Sequence, residues 1–256
     1  LFRSSFIGRG GADAFNGGTG FDSVSYSTAG PGLIVNLLNP GGNTGDAAGD
    51  SYSSIEQVIG SQHDDILIGD GNDNTLAGFG GNDTFIGRGG ADAFNGGTGT
   101  DTVSYSTASA AVKVDFIVAG SNTGDAAGDT FNLVENIIGS GHNDVLAGDN
   151  GANTIHGMNG NDSLRGRGGA DVLIGGDGAD TFLIQPGTQS DQVNDLVSGV
   201  DTIRLLSFAG IDDLADLQAA GTDIGADSSY DLGGGDTLVI LGHNVADLQA
   251  GDFLFS

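Results

Sequence analysis

The sequence has no cysteine and no tryptophan, and only three prolines and seven basic residues among its 256. Without cysteine there can be neither disulfide bonds nor thiolate metal ligands. The scarcity of proline and the lack of a Gly-X-Y period exclude a collagen-like chain. No stretch of 18 consecutive apolar residues occurs, so we expect no helix that spans a membrane.

Acidic side chains outnumber basic ones, with 34 acids and a formal net charge of −27. Such a chain is expected to repel nucleic acid and to attract cations. The acids stand singly, each at a fixed distance from glycines and an apolar residue. A disordered acidic tail would instead carry blocks of charge. We therefore expect an ordered chain when a cation is bound and a disordered chain without it.

Glycine is in excess, with 49 copies, and it recurs with a period of nine. Twelve nonapeptides fill residues 8–25, 60–104 and 139–183. Each begins with Gly, and position eight is apolar in all twelve. Position six is acidic in ten repeats and Asn in two. We predict these twelve side chains to be metal ligands: Asp13, Asp22, Asp65, Asn74, Asp83, Asp92, Asp101, Asp144, Asn153, Asp162, Asp171 and Asp180.

A second, longer repeat of 79 residues is superimposed on the nonapeptides. Residues 7–85 align without a gap on 86–164, and 8–20 recurs identically as 87–99. Each long unit joins five nonapeptides to a 34-residue insert, at 26–59 or 105–138. A third copy opens at Gly166 and diverges after Asp171.

One nonapeptide has the form G-G-x-G-x-D-x-U-x, where U is apolar. Glycine permits positive φ and close backbone approach, so the first six residues predict a turn with inward carbonyls and one carboxylate. An all-oxygen environment suits a hard cation such as Ca²⁺. The last three residues predict a short strand with U facing inward. Two nonapeptides then complete an 18-residue coil, and stacked coils form a parallel all-β solenoid.

The clearest copies of this motif are 17–25 and 175–183. The pattern resembles the repeats-in-toxin (RTX) family, whose calcium-binding repeat has this form. The resemblance implies a parallel β-roll or β-helix, several bound Ca²⁺ ions, and a secreted, extracellular protein exported by type I secretion machinery. We expect calcium between turns i and i+2, which gives three ions for each five-repeat run and at least six in total.

Several repeats depart from the pattern. Asn74 and Asn153 are neutral, so weaker sites are expected there. His63, Asn72 and His142 replace a turn glycine. The two histidines are equivalent in the 79-residue repeat. We interpret them as surface turn residues rather than a transition-metal pair, because no Cys or second His lies at ligand spacing.

Each insert opens with alternating apolar residues at 33–37 or 112–116, which predicts a strand. A loop follows, with Asp46 and Asp50 in the first insert and Asp125 and Asp129 in the second. A further strand at 55–59 or 134–138 leads into the next nonapeptide. We interpret each insert as an enlarged coil with a protruding loop. The paired Asp residues either bind another Ca²⁺ or serve ordinary turn chemistry.

The glycine pattern ends at 183, which predicts a roll over 1–183 and a small mixed C-terminal cap over 184–256. Strands are predicted at 201–206 and 236–241, a helix at 211–220, and a short apolar end at 252–256. Residues 200–256 resemble the terminal regions of type I-secreted proteins, including end modules of alginate epimerases and serralysin-type proteases. An open roll also needs its last edge covered.

No set of candidate catalytic residues is evident, since H-E-x-x-H, G-x-S-x-G and Walker motifs are absent. We expect a non-enzymatic calcium-dependent folding and secretion module. The chain begins at Leu1 rather than at an initiator Met, which suggests a processed piece or a fragment. We expect either a whole matrix protein or the tail of a longer secreted enzyme. The alternative is a polysaccharide-binding accessory module, as in an alginate epimerase. The charge of −27 argues against binding a polyanion without bridging Ca²⁺.

Overall fold

The computed structural model describes residues 3–187 and 189–256. The chain divides into two compact units. Unit 1 contains the residues up to Ala108 together with Val118–Asn136, and unit 2 contains Ser109–Ile117 and Ile137–Ser256. The predicted boundary at 183/184 falls inside unit 2. The division into a roll and a C-terminal cap therefore stays a prediction.

Unit 1 is built from short strands, most of them three residues long. They are β1 (Ser5–Ile7), β2 (Ala14–Asn16), β3 (Ser23–Ser25), β4 (Ile34–Asn36), β5 (Ser51–Ser53), β6 (Gln57–Ile59), β7 (Ile66–Ile68), β8 (Thr75–Gly80), β9 (Thr84–Ile86), β10 (Ala93–Thr98), β11 (Thr102–Ser104) and β13 (Thr130–Asn132). Within the unit, one sheet has the order β1-β3-β6-β8-β10-β13, a second β4-β7-β9-β11, and β2 pairs with β5. Pairing is parallel, as in β8–β10 and β7–β9.

Unit 2 repeats this arrangement and adds the C-terminal elements. Its strands are β12 (Lys113–Asp115), β14 (Asn136–Ile138, which starts at the unit boundary), β15 (Val145–Ala147), β16 (Thr154–Asn159), β17 (Ser163–Arg165), β18 (Val172–Asp177), β19 (Thr181–Ile184), β20 (Ser190–Val193), β21 (Thr202–Leu205), β22 (Gly221–Ile224), β23 (Asp227–Gly233), β24 (Asp236–Ile240) and β25 (Phe253–Phe255). One sheet has the order β12-β15-β17-β19-β21-β25, and the other runs β14-β16-β18-β20-β24-β23-β22.

The core is the stacked row of position-eight side chains, as predicted. All twelve are buried, from Phe15 at 7% exposure to Leu67, Phe85 and Phe182 at 0%. In-register neighbours stack on each other, so Leu164 lies between Leu146 and Phe182. A coil contributes few apolar side chains, so its burial depends on the coils on either side.

The inserts form the predicted enlarged coils, but each contains a strand that the sequence reading missed. In the first insert, β5 pairs with β2 at an offset of 37 residues, and Tyr52 stacks on Phe15 with 5.9 Å between ring centroids. In the second, β13 pairs with β10, and Phe131 stacks on Phe94 at 5.7 Å. The loops before these strands form short 3-10 turns at Pro40–Gly42, Gly45–Ala47, Ala119–Ser121 and Gly124–Ala126.

The C-terminal segment is mixed, as expected. The helix α1 spans Leu214–Ala220 rather than 211–220, because the side chain of Asp213 accepts a hydrogen bond from the Asp216 N–H and caps the helix there. The two predicted strands are present as β21 and β24, the short apolar end forms the further strand β25, and 3-10 turns lie at Val245–Asp247 and Ala250–Asp252. β22, β23 and β24 pair antiparallel, unlike the roll. Among the described residues, no helix combines the length and apolar character needed to cross a bilayer.

Candidate metal centres

The nonapeptide turns bring backbone atoms of successive coils unusually close. Gly99 has φ of 136°, and a Cβ added there would overlap the carbonyl oxygen of Gly81, one coil earlier. Gly178 and the carbonyl of Gly160 repeat the arrangement in unit 2. A side chain at either glycine would push the coils apart. The glycines therefore allow a stack in which carbonyl oxygens of neighbouring turns share a narrow space.

The carboxylates of position six form a ladder along these stacked turns. The Asp65 N–H donates to Oδ1 of Asp83 at 2.8 Å, and the Asp83 N–H donates to Oδ1 of Asp101 at 2.7 Å. In unit 2 the Asp162 N–H donates to Oδ1 of Asp180 at 2.8 Å, and the Asn153 N–H donates to Oδ1 of Asp171 at 2.8 Å. Each rung thus joins turns i and i+2, the pairs between which calcium is predicted.

The second oxygen of most rungs has no partner. Among the described residues, seven buried Oδ2 atoms accept no hydrogen bond, and each of their side chains is at most 2% exposed. They belong to Asp22, Asp83, Asp92, Asp101, Asp162, Asp171 and Asp180. Oδ2 of Asp83 faces the first glycine of its own repeat, Gly78, and the carbonyl oxygen of Gly96 lies beside the same glycine. Buried oxygens without donors are costly unless a cation compensates them.

The pKa values of the ladder carboxylates are consistent with these buried, unpartnered oxygens. Burial, with a smaller contribution from nearby carboxylates, raises the pKa of Asp83 and of Asp92 to about 7. Burial likewise raises the pKa of Asp162, Asp171 and Asp180 to about 6. Without a bound cation, burial therefore disfavours the ionised form of these carboxylates, which is the form that a cation binds.

The repeated turns also match a known family. A family model for the RTX calcium-binding nonapeptide repeat matches residues 4–24, 59–94, 68–103, 136–155 and 148–182. The repeats of this chain are RTX calcium-binding nonapeptides. RTX repeats imply calcium binding and are typical of secreted, extracellular proteins. The matched segments end at residue 182, so the C-terminal segment lies outside them.

No curated protein sequence matches the chain significantly. Among the solved structures that are similar is the extracellular lipase LipA from Serratia marcescens, at 17% sequence identity and a TM-score of 0.35. The alignment covers 82% of this chain and 41% of the lipase chain.

Five of the twelve predicted RTX ligands differ from the other seven. Asp13 is exposed. Asn74 and Asn153 use Oδ1 to accept the N–H of Asp70 and of Asp149, each at 2.9 Å. Asp65 and Asp144 are buried, but each accepts hydrogen bonds from a serine of its own turn. The ligand predictions stay predictions, and these five positions lack the buried, unpartnered Oδ2 of the other seven.

The two turn histidines, His63 and His142, are exposed, as the surface interpretation requires. Within the described part of the chain, no group of three or more His, Cys, Asp or Glu side chains is placed to hold a metal ion. A cation in the RTX turns would therefore rely on backbone carbonyls besides the carboxylates, as the motif predicts.

Sequence reasoning missed acids outside the nonapeptides that continue the RTX ladder. The Asp22 N–H donates to Oε2 of Glu56 and the Asp101 N–H to Oε2 of Glu135, both at 2.8 Å. The Asp180 N–H donates to Oδ1 of Asp201 at 2.9 Å. Each of these acids stands two residues before an inward apolar residue, as Asp does in the repeat. That D-x-U or E-x-U frame was the signal that could have identified them.

Proposed function

We propose that this chain is a calcium-dependent folding and secretion module of an extracellular bacterial protein. The observation that carries the proposal is the row of seven buried carboxylate oxygens without a hydrogen-bond donor. A chain that stacks so many acids in its interior needs a counter-charge at each of them. Glycine carbonyls next to these oxygens complete an all-oxygen environment suited to Ca²⁺.

The hydrogen bonds along the ladder support a specific number of bound calcium ions. In each pair of turns i and i+2, the acid of the later turn uses Oδ1 for the N–H of the earlier turn and leaves Oδ2 free. The two five-repeat runs contain three such acids each, which supports at least six ions. They are Asp83, Asp92 and Asp101, and Asp162, Asp171 and Asp180. Asp22, whose Oδ1 accepts from the Ser4 N–H, is a further candidate.

A crystal structure of the protein grown in millimolar calcium tests this count. We expect ions at the six rungs of the runs 60–104 and 139–183. Fewer than four ions along these turns would contradict the stacking argument. A matched crystal grown with excess magnesium is the control, because Mg²⁺ demands a tighter octahedral shell and should not fill the sites.

The same residues support the proposed role in secretion. Without a cation the stacked carboxylates repel each other, and the many glycines make ordering entropically costly. Extracellular modules bind Ca²⁺ with Kd values of roughly 10⁻⁴–10⁻³ M, far above cytosolic calcium. The chain would therefore stay unfolded inside the cell, in a form that type I secretion machinery can thread. It would fold outside, where calcium is abundant.

The proposed role is non-catalytic. The reactive side chains are concentrated in turns whose acids and glycines suit metal binding, and the sequence contains no H-E-x-x-H, G-x-S-x-G or Walker motif. This role is compatible with a whole matrix protein and with the tail of a longer secreted enzyme. Any activity of a longer protein would then come from another domain.

A second candidate, binding of an anionic polysaccharide, is favoured by the outer face of one sheet in unit 2. Four of the seven basic residues of the chain lie on or directly beside it: Lys113 on β12, Arg165 on β17, Arg167 just after β17, and Arg204 on β21. Strand register places Arg165 beside Ala147, and Arg204 beside Leu183. The scarce positive charge of an acidic chain is thus concentrated in a stripe that crosses the strands.

Two of these four basic side chains, Lys113 and Arg204, have no hydrogen bond or ion pair among the described residues, whereas Arg165 donates to Oε1 of Gln185 at 2.8 Å. Arg167 pairs with Asp115 at 2.6 Å. Among the described residues, Lys113, Arg165 and Arg204 form no ion pair, and Arg204 is exposed. A linear carboxylated polysaccharide could lie along the stripe without passing over the acidic turns. The net charge of −27 is therefore a weaker argument against a polyanion than the sequence suggested.

Binding of alginate in millimolar calcium tests the second candidate, with neutral dextran as the control ligand. We expect the double variant Lys113→Ala and Arg204→Ala to weaken binding at least tenfold, and added salt to weaken binding to the parent protein. Equal affinity of parent and variant would exclude the stripe as the binding surface.

A further inference from the structure

Four buried ladder acids within the repeats and inserts differ from the seven described above, because protein donors satisfy both of their carboxylate oxygens. They are Asp50 and Asp129 in the inserts, and Asp65 and Asp144 in the first repeat of each five-repeat run. All four are at most 2% exposed, so burial alone does not separate them from the others. The difference lies in what contacts the second oxygen.

In the inserts the second oxygen is bound by a tyrosine. Oδ1 of Asp50 accepts the Asp13 N–H at 2.8 Å, which is the role that Oδ1 plays in the repeats. Oδ2 of Asp50 accepts the hydroxyl of Tyr26 at 2.6 Å. Asp129 repeats both contacts, with the Asp92 N–H at 2.8 Å and the Tyr105 hydroxyl at 2.7 Å.

These tyrosines remain hydrogen-bond donors at neutral pH. Tyr26 and Tyr105 are almost completely buried, and burial together with the adjacent carboxylate raises the pKa of each far above its usual range. Tyr26 also contacts the hydroxyl of Tyr52 at 2.6 Å. Phe131 stands at the position of Tyr52 in the second insert, so the tyrosine–carboxylate contact is present with and without that third hydroxyl.

In the first repeat of each run the second oxygen is bound by a serine at position two. The N–H of Ser61 donates to Oδ2 of Asp65 at 2.5 Å, and its hydroxyl donates to Oδ1 at 3.0 Å. Ser140 makes the same two contacts with Asp144, at 2.5 and 2.8 Å. Oδ1 of Asp65 also accepts the N–H of Leu33, which directly precedes the insert strand β4 and does not belong to a nonapeptide turn.

A calcium ion in this roll needs glycine turns on both sides of the rung and a carboxylate oxygen left free for it. The four acids meet neither requirement, since each lies in or next to an insert coil and each has its second oxygen occupied by a protein donor. We propose that Tyr26, Tyr105, Ser61 and Ser140 cap these border acids in place of calcium. This inference rests on the proposed calcium function. If these acids are capped, each five-repeat run holds three calcium sites and ends at a capped acid. The Asp pairs of the inserts then serve as turn residues and do not form an additional calcium site.

Counting calcium ions per chain, by equilibrium dialysis of the full chain in saturating calcium, tests the inference. The variant is Asp129→Asn, and its matched control is Asp92→Asn. Asn keeps the Oδ1 acceptor of the ladder while removing the charge, and the two residues are consecutive rungs of equal burial. We expect Asp92→Asn to bind one ion fewer than the parent and Asp129→Asn to bind the same number.

Loss of one ion by Asp129→Asn would overturn the capping inference and leave the calcium function intact. A parent protein that binds no calcium would instead overturn the function itself. A second variant, Tyr105→Phe, guards against misfolding of the Asn variant. We expect it to keep the ion number and to lower the melting temperature in saturating calcium by several degrees. One ion fewer, or an unchanged melting temperature, would contradict a capping role for Tyr105.

Discussion

The five-repeat runs and the C-terminal segment both bury acids, but they satisfy them differently. In the runs, acids such as Asp83 keep one oxygen without a donor. In the C-terminal segment, Asp236 accepts from the N–H groups of Gly187 and Gln189, at 2.8 and 3.0 Å. Asp252 accepts from Ser198, Gly199 and Gln249. Burial of a carboxylate therefore does not by itself indicate a metal site here, whereas an unpartnered buried oxygen between glycine turns does.

The two regions also differ in how the burial of apolar side chains stabilises them. The runs stack about one inward side chain per nonapeptide. The C-terminal segment packs the helix α1 against β23 and buries Leu217 completely. We therefore expect the runs to depend on calcium for folding, and the segment that follows them to depend on conventional packing.

The largest expected effect comes from the C-terminal core. Leu217→Ala should lower the stability of the calcium-loaded protein by about 2–5 kcal/mol, because it empties a fully buried site. The number of bound calcium ions should stay at the parent value. Chemical denaturation in saturating calcium, together with ion counting, checks both statements. A lost ion would show that this segment takes part in metal binding.

A smaller loss of stability, but with a lost ion, is expected in the second run. Asp171→Ala removes the acceptor of the Asn153 N–H and the free Oδ2, at a cost of about 2–3 kcal/mol. Asp46→Ala, in a partly exposed insert turn, should change stability by no more than about 0.5 kcal/mol. Calcium titrations of both variants provide the measurement. Equal calcium midpoints would show that the ranking of these sites is wrong.

The stability of the metal-free roll and its affinity for calcium should change with pH in opposite directions. Burial raises the pKa of Asp83 and Asp92 to about 7, above roughly 3.9 for an unfolded Asp. The metal-free fold then binds more protons than the unfolded chain between about pH 4 and 7, so its stability rises as pH falls through that window. Calcium needs the ionised carboxylates, so its affinity should fall over the same window.

We expect more β-type circular dichroism in chelator at pH 5 than at pH 7.5. The apparent calcium Kd should be several-fold weaker at pH 5.5 than at pH 7.5. Asp83→Asn removes one of the titrating groups and should reduce this dependence. A calcium affinity that is independent of pH would show that these carboxylates do not hold the ion.

Much of the fold could be predicted from the sequence, because the period of nine fixes which residue faces inward. The position-eight residues are buried as predicted, and the turns stack in the expected i and i+2 pairs. The strands β5 and β13 were missed, since one short strand inside an insert has no periodic neighbour in the sequence. Their pairing partners, β2 and β10, lie 37 residues earlier.

The candidate site was less accessible to prediction. The motif places Asp65 and Asp83 in equivalent positions, and only the three-dimensional contacts show that a serine satisfies Asp65 while Asp83 stays unpartnered. The tyrosine caps were missed for a similar reason. Tyr26 lies 24 residues before Asp50, and their contact depends on how the enlarged coil closes.

Calcium in the glycine turns is proposed to drive folding of the roll. Circular dichroism during a calcium titration of the chelator-treated protein at neutral pH tests this claim. We expect a coil-like spectrum that converts cooperatively to a β-type spectrum at roughly 10⁻⁴–10⁻³ M calcium, the range of extracellular modules. Magnesium at the same concentrations should leave the spectrum coil-like. A full β-type spectrum in excess chelator would contradict the claim.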